Sequence, residues 1–155
     1  EMMLRGYKYA NYRTYSFGGY VASVSSFLDY FRCSVDLAKN EKAREELLWK
    51  KDAPIFTKVH NSTPTVYHPG AEIADSMIAD DCEIEGTVIN SVLFRGVKVA
   101  KGAVVSNCVL FRGTSVGEGA TLNCIVAGKD VQITDGVTLS GHENMPFYIQ
   151  KNRKV

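Results

Sequence analysis

Between Ala71 and Leu139 the chain repeats itself every five or six residues. Aliphatic or aromatic side chains mark the interval: Ile73, Ile78, Ile84 and Ile89, then Val99, Val105, Phe111, Val116 and Leu122, and later Ile133 and Leu139. Glycine, small residues and Asp or Asn fill the gaps, as in Val99-Ala-Lys-Gly-Ala-Val-Val105 and Val116-Gly-Glu-Gly-Ala-Thr-Leu122. An extended segment of two or three residues cannot bury an apolar face alone. Stacking successive segments does so, and a hexapeptide period is the signature of a parallel β-helix. The expected strands are 71–73, 76–79, 82–85, 87–90, 91–94, 97–100, 103–106, 108–111, 120–123, 124–127 and 131–133, with a ragged end to 139. Three strands to a coil give about four coils and a prism about 20 Å tall. Gly86, Gly96, Gly102, Gly113, Gly117, Gly119, Gly128 and Gly136 suit corners that need a positive φ or close backbone approach.

Composition narrows the classes of function. The net charge of +1 creates no field that recruits nucleic acid. No apolar run is long enough for a bilayer, and no signal-peptide pattern opens the chain, so a cytoplasmic protein is expected. Cys33, Cys82, Cys108 and Cys124 form no C-x-x-C pair, so reduced thiols and no zinc or other metal site are expected. The chain opens at Glu1 inside what reads as a strand, which suggests a piece of a longer protein.

Residues 1–50 read as strands followed by two helices. Tyr7/Tyr9 and Tyr15/Phe17 alternate with polar neighbours, and Gly18-Gly19 breaks the pattern. The aromatics are interleaved only with Arg5, Lys8 and Arg13, too sparse a set for stacking on RNA. Residues 23–38 place Val24, Phe27, Leu28, Phe31, Val35 and Ala38 on one helical stripe, with Ser23, Ser25 and Ser26 as rival caps. The stripe with Val24, Phe27, Phe31 and Val35 is expected to stay exposed as a docking surface. Asn40 caps a second helix running to Trp49. Residues 51–70, with Pro54, Pro64 and Pro69-Gly70, read as a linker, and residues 71–155 as the coil with a final strand at Pro146–Gln150 outside the repeat.

Chemistry is sparse. Hexapeptide coils often belong to acyltransferases, whose histidine deprotonates the acceptor. His60 and His68 fall in the linker and His142 after the last repeat, none of them in a loop from the middle of the coil. Thr87, Thr114, Thr121, Thr134 and Thr138 are too scattered for an ice-binding face. Charge is uneven: residues 71–140 hold five bases and nine acids, residues 141–155 three bases and one acid. Lys129, Lys151, Arg153 and Lys154 therefore form the candidate anion site, set against the simpler reading of a solvated basic tail.

The order of parts then becomes specific. Phe17-Gly-Gly-Tyr20, the helix from Ser23 to Leu37, Pro54-Ile-Phe-Thr-Lys58, Ser62-Thr-Pro-Thr65 and Glu85-Gly-Thr-Val-Ile-Asn-Ser-Val-Leu-Phe-Arg95 follow one another. This resembles the C-terminal third of the ADP-glucose pyrophosphorylase (glucose-1-phosphate adenylyltransferase) family, and most of all its bacterial glycogen-biosynthesis subunit regarded as regulatory. The resemblance covers residues 6–151. It implies a left-handed coil, with residues 1–50 ending a nucleotidyltransferase domain. The catalytic subunits carry Trp-x-Asp-Val-Gly-Thr after Gly-Tyr, its Asp helping to hold metal; here Gly19-Tyr20 runs into Val21-Ala22-Ser23. No catalytic residue and no cofactor are expected in this chain, ATP and Mg2+ belonging to catalytic members. The family implies effector-binding lysines on a coil corner and near the C-terminal end, here Lys129 and Lys151, with a sugar phosphate as effector. Its own N-terminal domain or a catalytic subunit is the implied partner, in a homo- or hetero-oligomer, with no nucleic acid or membrane. The alternatives are a hexapeptide acyltransferase with a coenzyme A groove, or another coil-bearing enzyme such as a mannose-1-phosphate guanylyltransferase.

Overall fold

A computed structural model describes residues 13–155. The expected strand at Tyr7 and Tyr9, and Tyr12 beside it, lie outside the described residues. Tyr15 and Phe17 are exposed and sit in irregular backbone, not in a strand. Alternation alone does not hold a strand without a paired neighbour.

Helix α1 spans Phe27–Lys39 and α2 spans Glu41–Leu48. Of the three rival serines Ser26 is the cap: its Oγ accepts from the Asp29 N–H at 3.1 Å, while Ser25 Oγ donates to the Asp29 carboxylate at 2.9 Å. Both hydroxyls hold the Asp29 carboxyl below its ordinary range. Asn40 serves both helices. Its N–H closes α1 on the Asp36 carbonyl at 2.8 Å, and its side chain accepts from the Ala43 N–H at 3.1 Å to open α2.

The coil has three parallel faces of five strands. The first face stacks β1 (Val66–Tyr67), β4 (Glu83–Ile84), β7 (Lys98–Val99), β10 (Ser115–Val116) and β13 (Gln132–Ile133). The second stacks β2 (Glu72–Ala74), β5 (Thr87–Ile89), β8 (Val104–Ser106), β11 (Thr121–Asn123) and β14 (Thr138–Ser140). The third stacks β3 (Met77–Ile78), β6 (Val92–Leu93), β9 (Val109–Leu110), β12 (Ile125–Ala127) and β15 (Phe147–Ile149). Most partners lie 17 residues apart, as Val105 opposite Leu122 and Val116 opposite Ile133. One coil is two residues shorter, with Ile73 opposite Val88. The last is longer, with Val126 opposite Tyr148.

Three boundaries differ from the sequence reading. The coil starts at Val66, inside the expected linker, because β1 pairs with β4 and Thr65 Oγ1 donates to the Ala79 carbonyl at 2.8 Å. Ser115–Val116 is a full strand that the expected set omits. The segment at Phe147–Ile149, expected to leave the repeat, completes the third face against β12.

Alternation sends one side chain inward at each rung. Ile84, Val88, Leu93, Val105, Leu110 and Leu122 are fully buried in the prism, together with Val97, Ala103 and Cys108. The interior is solid, as close packing of aliphatic layers requires. Glycines at three edges have ordinary φ but no room: a Cβ on Gly86 would lie 2.4 Å from the Ala103 carbonyl oxygen.

The third face is apolar on its outside as well. Val92, Val109 and Val126 pack with Phe31, Tyr30 and Val35 of α1 in a second core. The expectation of an exposed stripe is therefore corrected. Phe31 is 2% exposed and Val35 is half-buried against the coil, while Val24 and Phe27 remain exposed. The three outward valines supply the apolar partner that the stripe requires.

Candidate functional site

Lys129 and Lys151 meet at one corner of the prism, where the third face passes to the first. Register places them on adjacent rungs, three residues beyond the Val126–Tyr148 pair. Two backbone bonds fix the alignment: the Gly128 N–H donates to the Ile149 carbonyl at 2.8 Å, and the Asn152 N–H to the Lys129 carbonyl at 2.9 Å. Gly128 is required here, since a Cβ would stand 2.7 Å from the Lys151 nitrogen. Asp130 and Asn152 follow the lysines with φ of 56° and 58°, the left-handed conformation that turns the corner.

A cleft of about 570 Å³ opens beside the two lysines, between α1 and the coil. Phe27 and Tyr30 line it from the helix, Phe111, Val126, Gly128 and Tyr148 from the coil. Phe27 meets Tyr148 edge-on at 5.8 Å between ring centres. Phe94 and Phe111 stack at 4.9 Å with planes 3° apart, and Tyr30 lies 6.4 Å from Phe111. Burial raises the Tyr30 phenol above its ordinary pKa, so the hydroxyl stays neutral at physiological pH. The cleft joins an apolar, aromatic wall to two ammonium groups. That combination is complementary to a small anion with a ring or carbon skeleton.

Arg153 and Lys154 are not part of this cleft. The chain has by then turned onto the first face, where the Gln132 N–H donates to the Arg153 carbonyl at 2.8 Å and Lys154 bridges Gln132. Two other cations take their place on the corner. Arg95 and Arg112 occupy the equivalent position on the two preceding rungs, with the Gly113 N–H on the Arg95 carbonyl at 3.1 Å and the Asp130 N–H on the Arg112 carbonyl at 2.9 Å. The corner thus presents Arg95, Arg112, Lys129 and Lys151 in a column. The signal lay in the sequence as a 17-residue interval from Arg95 through Arg112 to Lys129, with Lys151 a further 22 residues on because the last coil is longer.

The histidines are dispersed. His60 is exposed in irregular backbone. His68 lies against Glu83 at 3.2 Å on the first face. His142 sits in the loop that lengthens the last coil, where its Nδ1 accepts from the Asn144 N–H at 3.1 Å. All four cysteines are free, and Cys82, Cys108 and Cys124 are buried. Among the described residues no helix is long and apolar enough to cross a membrane.

The family model described as GlmU-like, C-terminal hexapeptide, matches residues 62–145. A glucose-1-phosphate adenylyltransferase of Mycoplasma mobile is 34% identical over 98 residues, covering 63% of this chain and 25% of that protein. Two glycogen biosynthesis proteins GlgD are also similar. The one from Geobacillus stearothermophilus is 55% identical over 60 residues, 39% of this chain and 18% of its own length. The one from Bacillus subtilis is 35% identical over 88 residues, 57% and 25% respectively. The chain spans about a quarter or less of each of these relatives. With the hexapeptide pattern matched over more than half its length and the coil built as that pattern demands, the chain belongs to the GlmU-like C-terminal hexapeptide family.

Proposed function

We propose that this chain is the domain through which a glycogen-biosynthesis protein of the glucose-1-phosphate adenylyltransferase type is assembled and regulated, and that it performs no catalysis itself. The observation that carries the reading is the seam between α1 and the coil. Helix α1, which the resemblance assigns to the end of a nucleotidyltransferase domain, is seated on the coil by Phe31, and the Lys129–Lys151 cleft opens along that seam. A sugar-phosphate effector held there by lysine point charges stabilises one seating of the helix over another. That bias is the coupling between effector and catalytic domain. ATP and Mg2+ belong to the nucleotidyltransferase domain. Exposed Val24, Trp49, Phe56 and Val59 supply the apolar surface for that domain or for a neighbouring catalytic subunit. The free thiols fit a reducing compartment, the cytoplasm.

The test is reconstitution. The chain is mixed with a catalytic glucose-1-phosphate adenylyltransferase subunit, association is followed by analytical ultracentrifugation, and ADP-glucose formation is measured with and without sugar phosphates. The expected result is a stable complex whose response to the effector differs from that of the catalytic subunit alone, and is lost with the double change Lys129→Gln, Lys151→Gln. Absence of a complex, or an unaltered response, rejects the reading.

A further inference from the structure

We propose that His68, Glu83 and Glu85 form a binding site for a borderline divalent cation such as Zn2+, clamping the first coil onto the second. The three side chains come from β4 and from the residues flanking β1 and β4 on the first face. Strand alternation puts Glu83 and Glu85 on the same outer side of the sheet, with Ile84 buried between them. Parallel register places His68 directly beside Glu85, one residue beyond the Tyr67–Ile84 pair. The His68 N–H donates to the Ile84 carbonyl at 2.9 Å and the Glu85 N–H to the Val99 carbonyl at 2.8 Å, so the ladder itself holds the backbone of both ligands.

One nitrogen and two carboxylate oxygens lie within 4.8 Å of one another. Zinc takes such donors at about 2.0–2.2 Å, which sets them about 3.4 Å apart in a tetrahedron. His68 Nε2 and Glu83 Oε1 are already at 3.2 Å. Only the Glu85 carboxylate has to move in, and its side chain is flexible.

Charge argues in the same direction. Glu83 is opposite Lys98, whose ammonium binds Oε2 at 3.0 Å and leaves Oε1 facing His68. Glu85 is opposite Ala100, which brings no charge to it. Two neighbouring carboxylates therefore share one lysine, and the added positive charge belongs beside Glu85. An imidazole with two carboxylates selects Zn2+, Co2+ or Ni2+ over Mg2+ and Ca2+, which take oxygen ligands. Water completes the coordination, since the site faces solvent. The linear sequence hides this site because its ligands are 15 and 17 residues apart, outside the usual zinc spacings. Only the coil length brings them onto one face.

The experiment uses the purified chain, stripped by chelator and kept reduced. ZnCl2, CoCl2 and MgCl2 are titrated separately by calorimetry, and thermal unfolding is followed with and without Zn2+. The expected result is one equivalent of Zn2+ or Co2+, little heat with Mg2+, a raised unfolding midpoint, and a cobalt spectrum without a thiolate charge-transfer band. His68→Ala and Glu85→Gln each weaken binding by about tenfold or more. The wild-type His68 ring 15N resonances move on zinc addition, a readout independent of whether either variant folds. A thiolate band, unmoved His68 resonances, or Zn2+ binding unchanged in a folded His68→Ala overturns the proposal.

Discussion

Cys108 illustrates what burial does to a single group. Its thiol is fully enclosed, donates to the Ser106 carbonyl at 2.9 Å, and is pushed up to about 12, chiefly by desolvation. Cys82 and Cys124 are raised for the same leading reason. An unfolded chain releases these protons near the ordinary thiol value, the folded chain only at higher pH. Below about pH 8.5 both states keep the protons and stability is unaffected. Above it the unfolded state binds fewer protons, and each such thiol lowers stability by about 1.4 kcal/mol per pH unit until its folded pKa is reached. Urea midpoints measured from pH 8 to 11 are expected to fall, and Cys108→Ala to make that fall shallower by one thiol's share. Of the residues picked from sequence, Lys129 and Lys151 came from the basic end of the chain and the family resemblance, and register places both on one corner. Arg95 and Arg112 were not legible, because their membership of the same column depends on register, which a beat of five or six residues leaves open.

At the scale of elements, Phe31 is the most deeply buried of the α1 side chains that meet the coil. Phe31 is enclosed by Val109, Cys124 and Val126, whereas Phe27 is half out of the contact. Phe31→Ala removes the contact and leaves a cavity at the seam, a loss of about 3–5 kcal/mol in favourable packing. Hydrogen exchange is the measurement: amides of α1 and α2 are expected to lose protection in the variant while β8 and β11 keep theirs. Both helices should respond together, because Asn40 ends one and begins the other. The helices, their caps and their apolar stripe were readable from three- and four-residue spacing. Their destination was not. The valines that receive the stripe recur at 92, 109 and 126, and they read as ordinary strand residues until the third face is known to be buried on both sides.

For the whole molecule, stability is a sum over rungs, each contacting only its neighbours. Leu122 lies in the interior with rungs on both sides, opposite Val105 and Leu139. Leu122→Ala is expected to cost about 2–5 kcal/mol, checked by chemical denaturation. Ile73, at the open end of the stack, is 41% exposed, and the same truncation there should cost far less. The periodic core from Ile78 to Ile133 was visible in sequence because aliphatic beat and glycine corners agree, except at two places where the beat was one residue late: Val88 and Leu110 point inward, while Ile89 is exposed and Phe111 packs on the outer side of the third face. The ends were obscure: β1 hides among prolines, and β15 follows a loop that breaks the beat.

That loop separates Ser140 from Phe147 yet leaves Phe147 hydrogen-bonded to the Cys124 carbonyl at 3.0 Å, as any other rung would be. A corner of this architecture therefore tolerates spare chain without disturbing what is stacked above or below it. Evolution can lengthen the polypeptide at such a vertex and gain a new projection, while the cross-section of the prism stays the same.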